Sequence, residues 1–235
     1  RQSEAFFMHS NRLPDFIEEL CSEIDVTRIR AVGVSSRPRR VEGSYMPCFV
    51  SGMNTAREVA SVLGIPVLYF SHQEGHAPAV MESEGKTSAY KTMFFHLSGG
   101  TTEALLCSPD DKGYCMEIVG GTLDISLGQL LDRFGVAIGM PFPSGKYLDD
   151  IAYEVLEKAD FDCGKAEKTG VIPKFRINDG YFNLSGAETR LMRYSGTKDT
   201  ASAADVTAEL FASVSELLIK DAQYLSEKYC AQSIY

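Results

Sequence analysis

Residues 66–76 read PVLYFSHQEGH, and this stretch predicts both a local fold and a site. Its first half is an apolar run of the kind that forms a buried strand. A helix that begins at or just after His72 would place His72 and His76 on one face, one turn apart. Two neutral imidazoles so placed can bind one zinc or iron ion, although a strand end with two polar histidines remains the alternative. The HExxH protease motif is not met, because Gln73 follows His72.

The residues upstream of this stretch predict the rhythm of a parallel sheet. A strand over 30–36 and a helix over 52–63 precede the strand that leads into His72, and Gly64 ends that helix. An amphipathic helix is expected over 13–24, with Pro14 in its first turn. The loop between the first strand and the helix contains Arg37, Arg39 and Arg40. It predicts either an anion site or a solvated basic loop.

The second half of the chain begins with the pattern of an antiparallel meander. Strands are expected over 93–97, 103–108 and 114–119, and turn-forming residues occupy 109–113. The first turn, 98–102, reads SGGTT, and glycine-rich turns of this kind can offer backbone N–H groups to an anion. The pattern alone is weak, because glycines also simply form turns, and no Gly-Lys-Ser/Thr sequence of a phosphate-binding loop follows.

Helices dominate the rest of the sequence. Two acidic residues of interest, Asp124 and Asp132, lie just before and within the first of these helices. Asp124 could have no role beyond capping that helix. The remaining expected elements are a helix within 120–139, a helix over 147–158, a short hairpin near 175–183, a helix over 185–194 and a long helix over 203–228. The apolar stripe of the long helix, from Val206 to Leu225, is expected to be core rather than a cofactor site.

Composition bounds the possible functions of this 235-residue chain. Its net charge of −9 argues against a self-sufficient nucleic-acid binder, and its apolar content of 44% is sufficient for a core. The six scattered cysteines suggest reduced, mostly buried thiols in a cytoplasmic protein. No apolar run suggests a membrane span, and the sequence shows no signal peptide. A first residue other than Met and a final stretch that resembles the start of a strand suggest a piece of a longer protein.

Several stretches, in this order and with close spacing, together resemble one family, the tRNA threonylcarbamoyladenosine transferases once called O-sialoglycoprotein endopeptidases or glycoproteases. The matching stretches are SHQEGH at 71–76, LSGGTTE at 97–103, GTLD at 121–124, GQLLDR at 128–133, PSGKYLD at 143–149 and FNLSG at 182–186. The resemblance covers nearly the whole chain.

The resemblance implies an α/β fold of the actin-like ATPase (ASKHA) type, with two RNase H-like lobes that are incomplete in this chain. Residues 1–88 would belong to the N-terminal lobe and residues 89–235 to the second lobe. The family transfers threonylcarbamoyl from an adenylate to N6 of an adenosine in tRNA. By resemblance, His72 and His76 would bind one divalent metal, iron or zinc, which acts as a Lewis acid. The residues expected to bind substrate or nucleotide, as ATP or an acyl-adenylate, are Ser98, Gly99, Gly100, Asp132, Gly145 and Asp149.

The sequence also departs from the family pattern. The departures are Thr101 in place of a histidine, Ile125 in place of a second aspartate, Gln129 in place of a glutamate, Ser144 in place of a glycine, and residues 36–40 in place of a glycine-proline loop. The family's opening strand motif and its late metal-binding aspartate have no counterpart in this sequence. These departures suggest a divergent paralogue.

Three functions are therefore open at the level of sequence. The first is a metal- and nucleotide-dependent threonylcarbamoyl transferase, whose partners would be an adenine nucleotide, tRNA reached through partner proteins or a basic patch at Arg37, Arg39 and Arg40, and no membrane. The second is a non-catalytic actin-like subunit that forms a homo- or heterodimer, which predicts a large apolar interface and no metal. The third, ranked last, is a metallopeptidase, because no glutamate is placed as a general base.

Overall fold

The computed structural model describes residues 2–83, 90–110, 113–158, 160–162, 167–196 and 201–235. Within these ranges the chain forms two compact units, Arg1–Thr87 and Ser88–Tyr235. Helices and strands are mixed in both units, which confirms the predicted α/β class. Among the described residues, no helix combines the length and the apolar character needed to cross a bilayer.

The first unit contains a two-stranded parallel sheet and three α-helices. Its elements are α1 (Gln2–Glu23), a 3-10 turn (Val26–Arg28), β1 (Val32–Arg37), α2 (Pro47–Leu63), β2 (Val67–Ser71) and α3 (His72–Ser83). β1 and β2 pair in parallel, so the predicted strand–helix–strand unit is confirmed. α2 ends as expected, because Gly64 adopts a left-handed conformation with φ of 66° and the Ile65 N–H bonds to the Ala60 carbonyl at 3.0 Å.

Two predictions for the first unit are wrong. α1 begins eleven residues earlier than position 13, so Pro14 lies inside the helix rather than in its first turn. β2 was expected to be buried, but Leu68, Tyr69 and Phe70 are 43–53% exposed. The physical reason is that α2 packs mainly on β1 and leaves β2 largely uncovered by the described residues.

The second unit is built around a five-stranded sheet. Its elements are β3 (Thr92–Leu97), β4 (Thr102–Asp110), β5 (Gly113–Thr122), α4 (Leu127–Ala137), α5 (Gly145–Glu157), β6 (Tyr181–Phe182), α6 (Ser185–Ser195), α7 (Ala203–Tyr229) and β7 (Ser233–Ile234). The sheet order is β6-β5-β4-β3-β7. β3, β4 and β5 form the predicted antiparallel meander, and β7 pairs in parallel with β3.

The hairpin expected near 175–183 does not form as such. Asn178 and Tyr181 make one isolated bridge, and β6 instead pairs in parallel with β5. Residues 111 and 112 of the predicted turn lie outside the described residues, as do residues 84–89 between the two units.

α7 contributes to two apolar clusters among the described residues of the second unit. Leu210 belongs to a cluster with Leu130 and Phe134, whereas Leu225, four turns later, packs with Met93 of the sheet. All five of these side chains are fully buried. The predicted core stripe of this helix is therefore confirmed.

The cysteines do not follow the sequence prediction. Cys107 is buried, but Cys21 and Cys230 are exposed, and Cys48 and Cys115 are partly exposed. Cys163 lies outside the described residues. The expectation of mostly buried thiols is therefore wrong, because most of these residues lie on helices or strands with an open face.

Candidate functional site

The start of α3 is fixed by a reciprocal cap directly before the histidine pair. The Glu74 N–H donates to Ser71 Oγ at 3.2 Å, and the Ser71 N–H donates to Glu74 Oε2 at 2.6 Å. This Ser-x-x-Glu capping box satisfies two backbone donors and sets the first turn of the helix. The sequence therefore begins α3 at His72, as predicted from the stretch 66–76.

His72 and His76 lie one helical turn apart and face each other. Their Nε2 atoms are 3.0 Å apart, and the ring of Phe49 packs edge-on against His72 with a centroid distance of 5.8 Å. Partial burial lowers the pKa of His72, and the neighbouring His76 lowers it further. Both causes favour the neutral imidazole, which is the form that binds metals.

The pair fits part of a metal site. Two histidine nitrogens that share one tetrahedral zinc ion lie about 3.4 Å apart, so the observed Nε2 atoms need move only slightly to bind one ion. The described residues contain no group of three or more His, Cys, Asp or Glu side chains that could hold a metal. The two histidines could therefore supply two ligands, and the described part of the chain offers no third beside them.

Glu74 is held by the basic loop that precedes α2. Arg40 Nη1 donates to Glu74 Oε1 at 2.9 Å, and the Gln73 N–H bonds to the Pro38 carbonyl at 3.4 Å. One of the three arginines thus supports the cap of the histidine helix, while Arg37 remains exposed. Because both oxygens of Glu74 accept hydrogen bonds, this carboxylate is a structural group and is poorly placed to act as the general base of a peptidase.

The glycine-rich turn between β3 and β4 is closed by its own serine. Ser98 Oγ accepts hydrogen bonds from the N–H groups of Gly100 and Thr101, at 3.2 and 3.0 Å. The Ser98 N–H bonds to the Thr101 carbonyl at 2.8 Å. These N–H groups therefore stabilise the turn itself, and the sequence expectation that the turn offers them to an anion is wrong for these three donors.

The same turn packs against the N-terminus of α4. The Gly128 N–H bonds to the Ser98 carbonyl at 3.2 Å, and Ser126 Oγ donates to the Gly99 carbonyl at 2.8 Å. A Cβ atom on Gly128 would lie 2.6 Å from Gly99 Cα, so only glycine permits this approach. The turn is thereby fixed to the helix by direct hydrogen bonds.

A cavity of about 400 Å³ lies beside this junction. Ser98 and Gly99 from the turn, Asp132 from α4 and Gly145 from α5 all line it. Four of the six residues that sequence analysis assigned to substrate or nucleotide are therefore brought together from three separate segments. Gly100 and Asp149 are exposed and are not among the residues that line the cavity.

Asp132 also positions the next helix. Its Oδ1 accepts a hydrogen bond from the Ser144 N–H at 2.7 Å, and Ser144 is the residue directly before α5. Ser144 is fully buried, and a Cβ on Gly135 would clash with it at 2.3 Å. The serine that departs from the family pattern is thus built into the packing of α4 against α5.

Asp124 has a role that the sequence did not reveal. It was considered as a cap for α4, but the cap is Ser126. Asp124 instead accepts hydrogen bonds from the N–H groups of Leu184 and Ser185, at 2.9 and 3.0 Å, where α6 begins. Partial burial raises its pKa, but the hydrogen bonds from Leu184 and Ser185, with a weaker one from Ile125, outweigh that effect and lower it to about 2. No short-range pattern links residues 60 positions apart.

The substituted position 101 is also accounted for by local contacts. Thr101 Oγ1 lies 2.8 Å from Nδ1 of His96, a histidine on β3 that sequence analysis did not single out. Gln129 is another position that differs from the family pattern, and its Oε1 accepts a hydrogen bond from Arg133 Nη2 at 3.4 Å.

The strand order of the second unit indicates the fold class. An antiparallel meander, followed by helices and by an edge strand parallel to the first strand, is the strand order expected of an RNase H-like lobe.

The chain belongs to the TsaD family, tRNA N6-adenosine threonylcarbamoyltransferase, whose model matches residues 3–235. It is similar to the tRNA N6-adenosine threonylcarbamoyltransferase of Streptococcus suis (strain 05ZYH33), with 28% identity over 93% of this chain and 61% of the relative. The corresponding protein of Streptococcus pneumoniae (strain P1031) is 25% identical over the same shares. The chain thus spans about three fifths of the length of these relatives.

One solved structure, YeaZ from Pseudomonas aeruginosa, matches 47% of this chain and 53% of its own at 15% identity, with a TM-score of 0.33. This likeness is too weak to support an argument. Family membership and the mixed α/β architecture together confirm the predicted actin-like fold class. The predicted family is confirmed as well.

Proposed function

We propose that this chain is part of a transferase that attaches threonylcarbamoyl to N6 of adenosine in tRNA, with a metal at the histidine pair and an adenine nucleotide in the cavity beside Gly145. The observation that carries the proposal is the convergence of Ser98, Gly99, Asp132 and Gly145 on one cavity in a chain that belongs to this family. The alternative of a non-catalytic actin-like subunit is not favoured, because the family model and the relatives are named as transferases.

The residues of the cavity suit a nucleoside. The Asp132 carboxylate can accept hydrogen bonds from the sugar hydroxyls, as carboxylates do in ribose sites. Gly145 has no side chain, and a Cβ placed there would meet nothing within 4 Å, so a flat base or a sugar can approach the backbone at the start of α5. Lys146, the next residue, also lines the cavity and supplies a positive charge for a phosphate.

The histidine pair would hold the metal. His72 and His76 present two nitrogens toward one point, and the capping box of Ser71 and Glu74 fixes the turn that carries them. When bound, a divalent ion there would supply Lewis-acid polarisation of a carbonyl or phosphoryl oxygen. The contribution of the chain is to favour the neutral form of His72 and to orient both imidazoles from one capped helical turn.

Calorimetric titration of the full-length protein with ATP tests this proposal. A Gly145→Leu substitution adds a large side chain at the lining of the cavity, at a position where a Cβ meets nothing within 4 Å, so we expect ATP affinity to fall by about tenfold or more. Gly196→Leu, at the end of α6 and away from the cavity, is the matched control, with a Cβ at ordinary contact distance. Equal ATP affinity in the two variants, or no binding by the unmodified protein, would contradict the nucleotide site.

A further inference from the structure

A second cavity of about 400 Å³ lies elsewhere in the second unit. It is bounded by the segment 168–177 on one side and by α7 on the other. The residues of α7 that line it are Glu209, Ala212, Ser213, Glu216, Leu217 and Lys220. Their spacing of three and four residues places them on one face of α7, so this cavity lies between that helix face and the segment 168–177. It shares no residue with the cavity beside Gly145.

A buried carboxylate forms one wall of this second cavity. Glu209 is only 6% exposed, and its Oε2 accepts hydrogen bonds from both the N–H and the hydroxyl of Thr169. The other oxygen, Oε1, makes no hydrogen bond to the described residues, and Glu209 lines the cavity. A carboxylate oxygen in this position is an acceptor for an ammonium or another strong donor.

Three lysines, Lys168, Lys174 and Lys220, are among the residues that line the same cavity. Lys220 pairs with Glu216 at 3.3 Å. Lys168 and Lys174 are exposed and make no ion pair within the described ranges. In a chain of net charge −9, two such lysines beside one cavity form a local site for an anionic group.

Apolar side chains complete the lining. Ile172 is buried, and Phe175 and Leu217 present further apolar surface to the cavity. The lining of the cavity therefore combines a buried carboxylate, two lysines without an ion pair and apolar side chains. Small-molecule sites typically consist of an apolar lining with a few placed polar groups, and the volume is in their usual range.

We propose that this cavity binds a free α-amino acid with an apolar side chain. The carboxylate of the ligand would pair with Lys168 and Lys174, its ammonium group would donate to Glu209 Oε1, and its side chain would pack against Ile172 and Phe175. Both ends of the ligand carry a charge opposite to the group they meet, which neither a simple anion nor a simple cation achieves. The site is separate from the proposed transferase function and does not depend on it.

The experiment is an NMR titration of the full-length protein with L-leucine, L-methionine and L-phenylalanine. The probes 4-methylpentanoate and 3-methylbutylamine retain the leucine side chain but lack the ammonium or the carboxylate. We expect saturable shifts from at least one amino acid, and binding about tenfold weaker or worse for both one-ended probes.

A double variant separates the two ends of the site. Lys168→Ala/Lys174→Ala should weaken amino-acid binding by about tenfold and leave 3-methylbutylamine binding unchanged. Lys91→Ala/Lys158→Ala, two exposed lysines away from the cavity, is the matched control. Two results would overturn the proposal: no saturable shift with any of the three amino acids, or equal amino-acid affinity in the two double variants. ATP affinity, measured alongside, reports on the fold and on the other cavity.

Discussion

In the first unit the histidine pair sits on the exposed start of one helix, whereas in the second unit the candidate nucleotide cavity is formed by three segments that bond to one another. His72 and His76 depend on a single capped turn and on Phe49. Ser98, Asp132 and Gly145 are fixed by hydrogen bonds among a turn and two helices. The first arrangement is held by few contacts, whereas the second is fixed by hydrogen bonds between its segments.

The largest expected effect is loss of metal from the first unit. Full-length protein should contain about one equivalent of iron or zinc by elemental analysis, and His72→Ala/His76→Ala should contain almost none, because both nitrogens converge on one point. His9→Ala, which removes an exposed histidine from α1, is the matched control. Metal retained by the double variant would show that the pair is not the site.

A substitution at the junction of turn and helix should damage the second unit most. Gly128→Val places a side chain 2.6 Å from Gly99 Cα, so the turn must move, and the free energy of unfolding should fall by about 3 kcal/mol. Urea unfolding followed by circular dichroism measures this change. Gly145→Ala, with open space at its Cβ, should change stability by less than about 1 kcal/mol. Equal stability of both variants would mean that the turn is not held against α4.

Part of this comparison could be predicted from the sequence. The histidine pair, the start of α3 and the Gly64 cap are local patterns of three to five residues, and local spacing is sufficient to find them. The convergence of Ser98, Asp132 and Gly145 was implied only by family resemblance, because no periodicity links residues dozens of positions apart. The Asp124 contact with α6 was missed for the same reason, and the exposure of β2 was missed because an apolar run does not state what covers it.

A buried carboxyl in the second unit, that of Asp221, should make the stability of the fold depend on pH. Asp221 on α7 is fully buried, and neither of its oxygens has a hydrogen-bond partner within the described residues. Burial raises the pKa of this carboxyl to about 6. Since the folded pKa exceeds the ordinary value of 3.8, stability should decline as pH rises from about 4 to 6, by about 2 kcal/mol.

Asp221→Asn tests that expectation directly. The neutral amide should raise the free energy of unfolding at pH 8 by about 2 kcal/mol and remove the decline between pH 4 and 6. Asp150→Asn, at an exposed position on α5, should do neither. An unchanged pH profile in Asp221→Asn would show that this carboxyl is solvated in solution.

The smallest effect is expected where Asp124 joins the start of α6. Its pKa of about 2 lies below the ordinary 3.8, so the bonded carboxylate stabilises the fold above about pH 4 and the effect disappears as pH falls through 2. Because Asp124 is largely exposed, Asp124→Asn should cost only about 1 kcal/mol at pH 7 in urea unfolding. Asp15→Asn on α1 provides the reference. If Asp124→Asn lowers the free energy of unfolding no more than Asp15→Asn does, the Asp124 carboxylate does not stabilise the start of α6.

The most direct test of the proposed function is the modification of tRNA itself. Mass spectrometry of tRNA nucleosides would be performed on cells whose own tRNA N6-adenosine threonylcarbamoyltransferase has been replaced by the full-length protein. We expect N6-threonylcarbamoyladenosine to be restored by the unmodified protein and to be lost with His72→Ala/His76→Ala, while His9→Ala restores it. Absence of the modified nucleoside when the folded protein is present, or full restoration by the double variant, would contradict the proposed transferase and its use of the histidine pair.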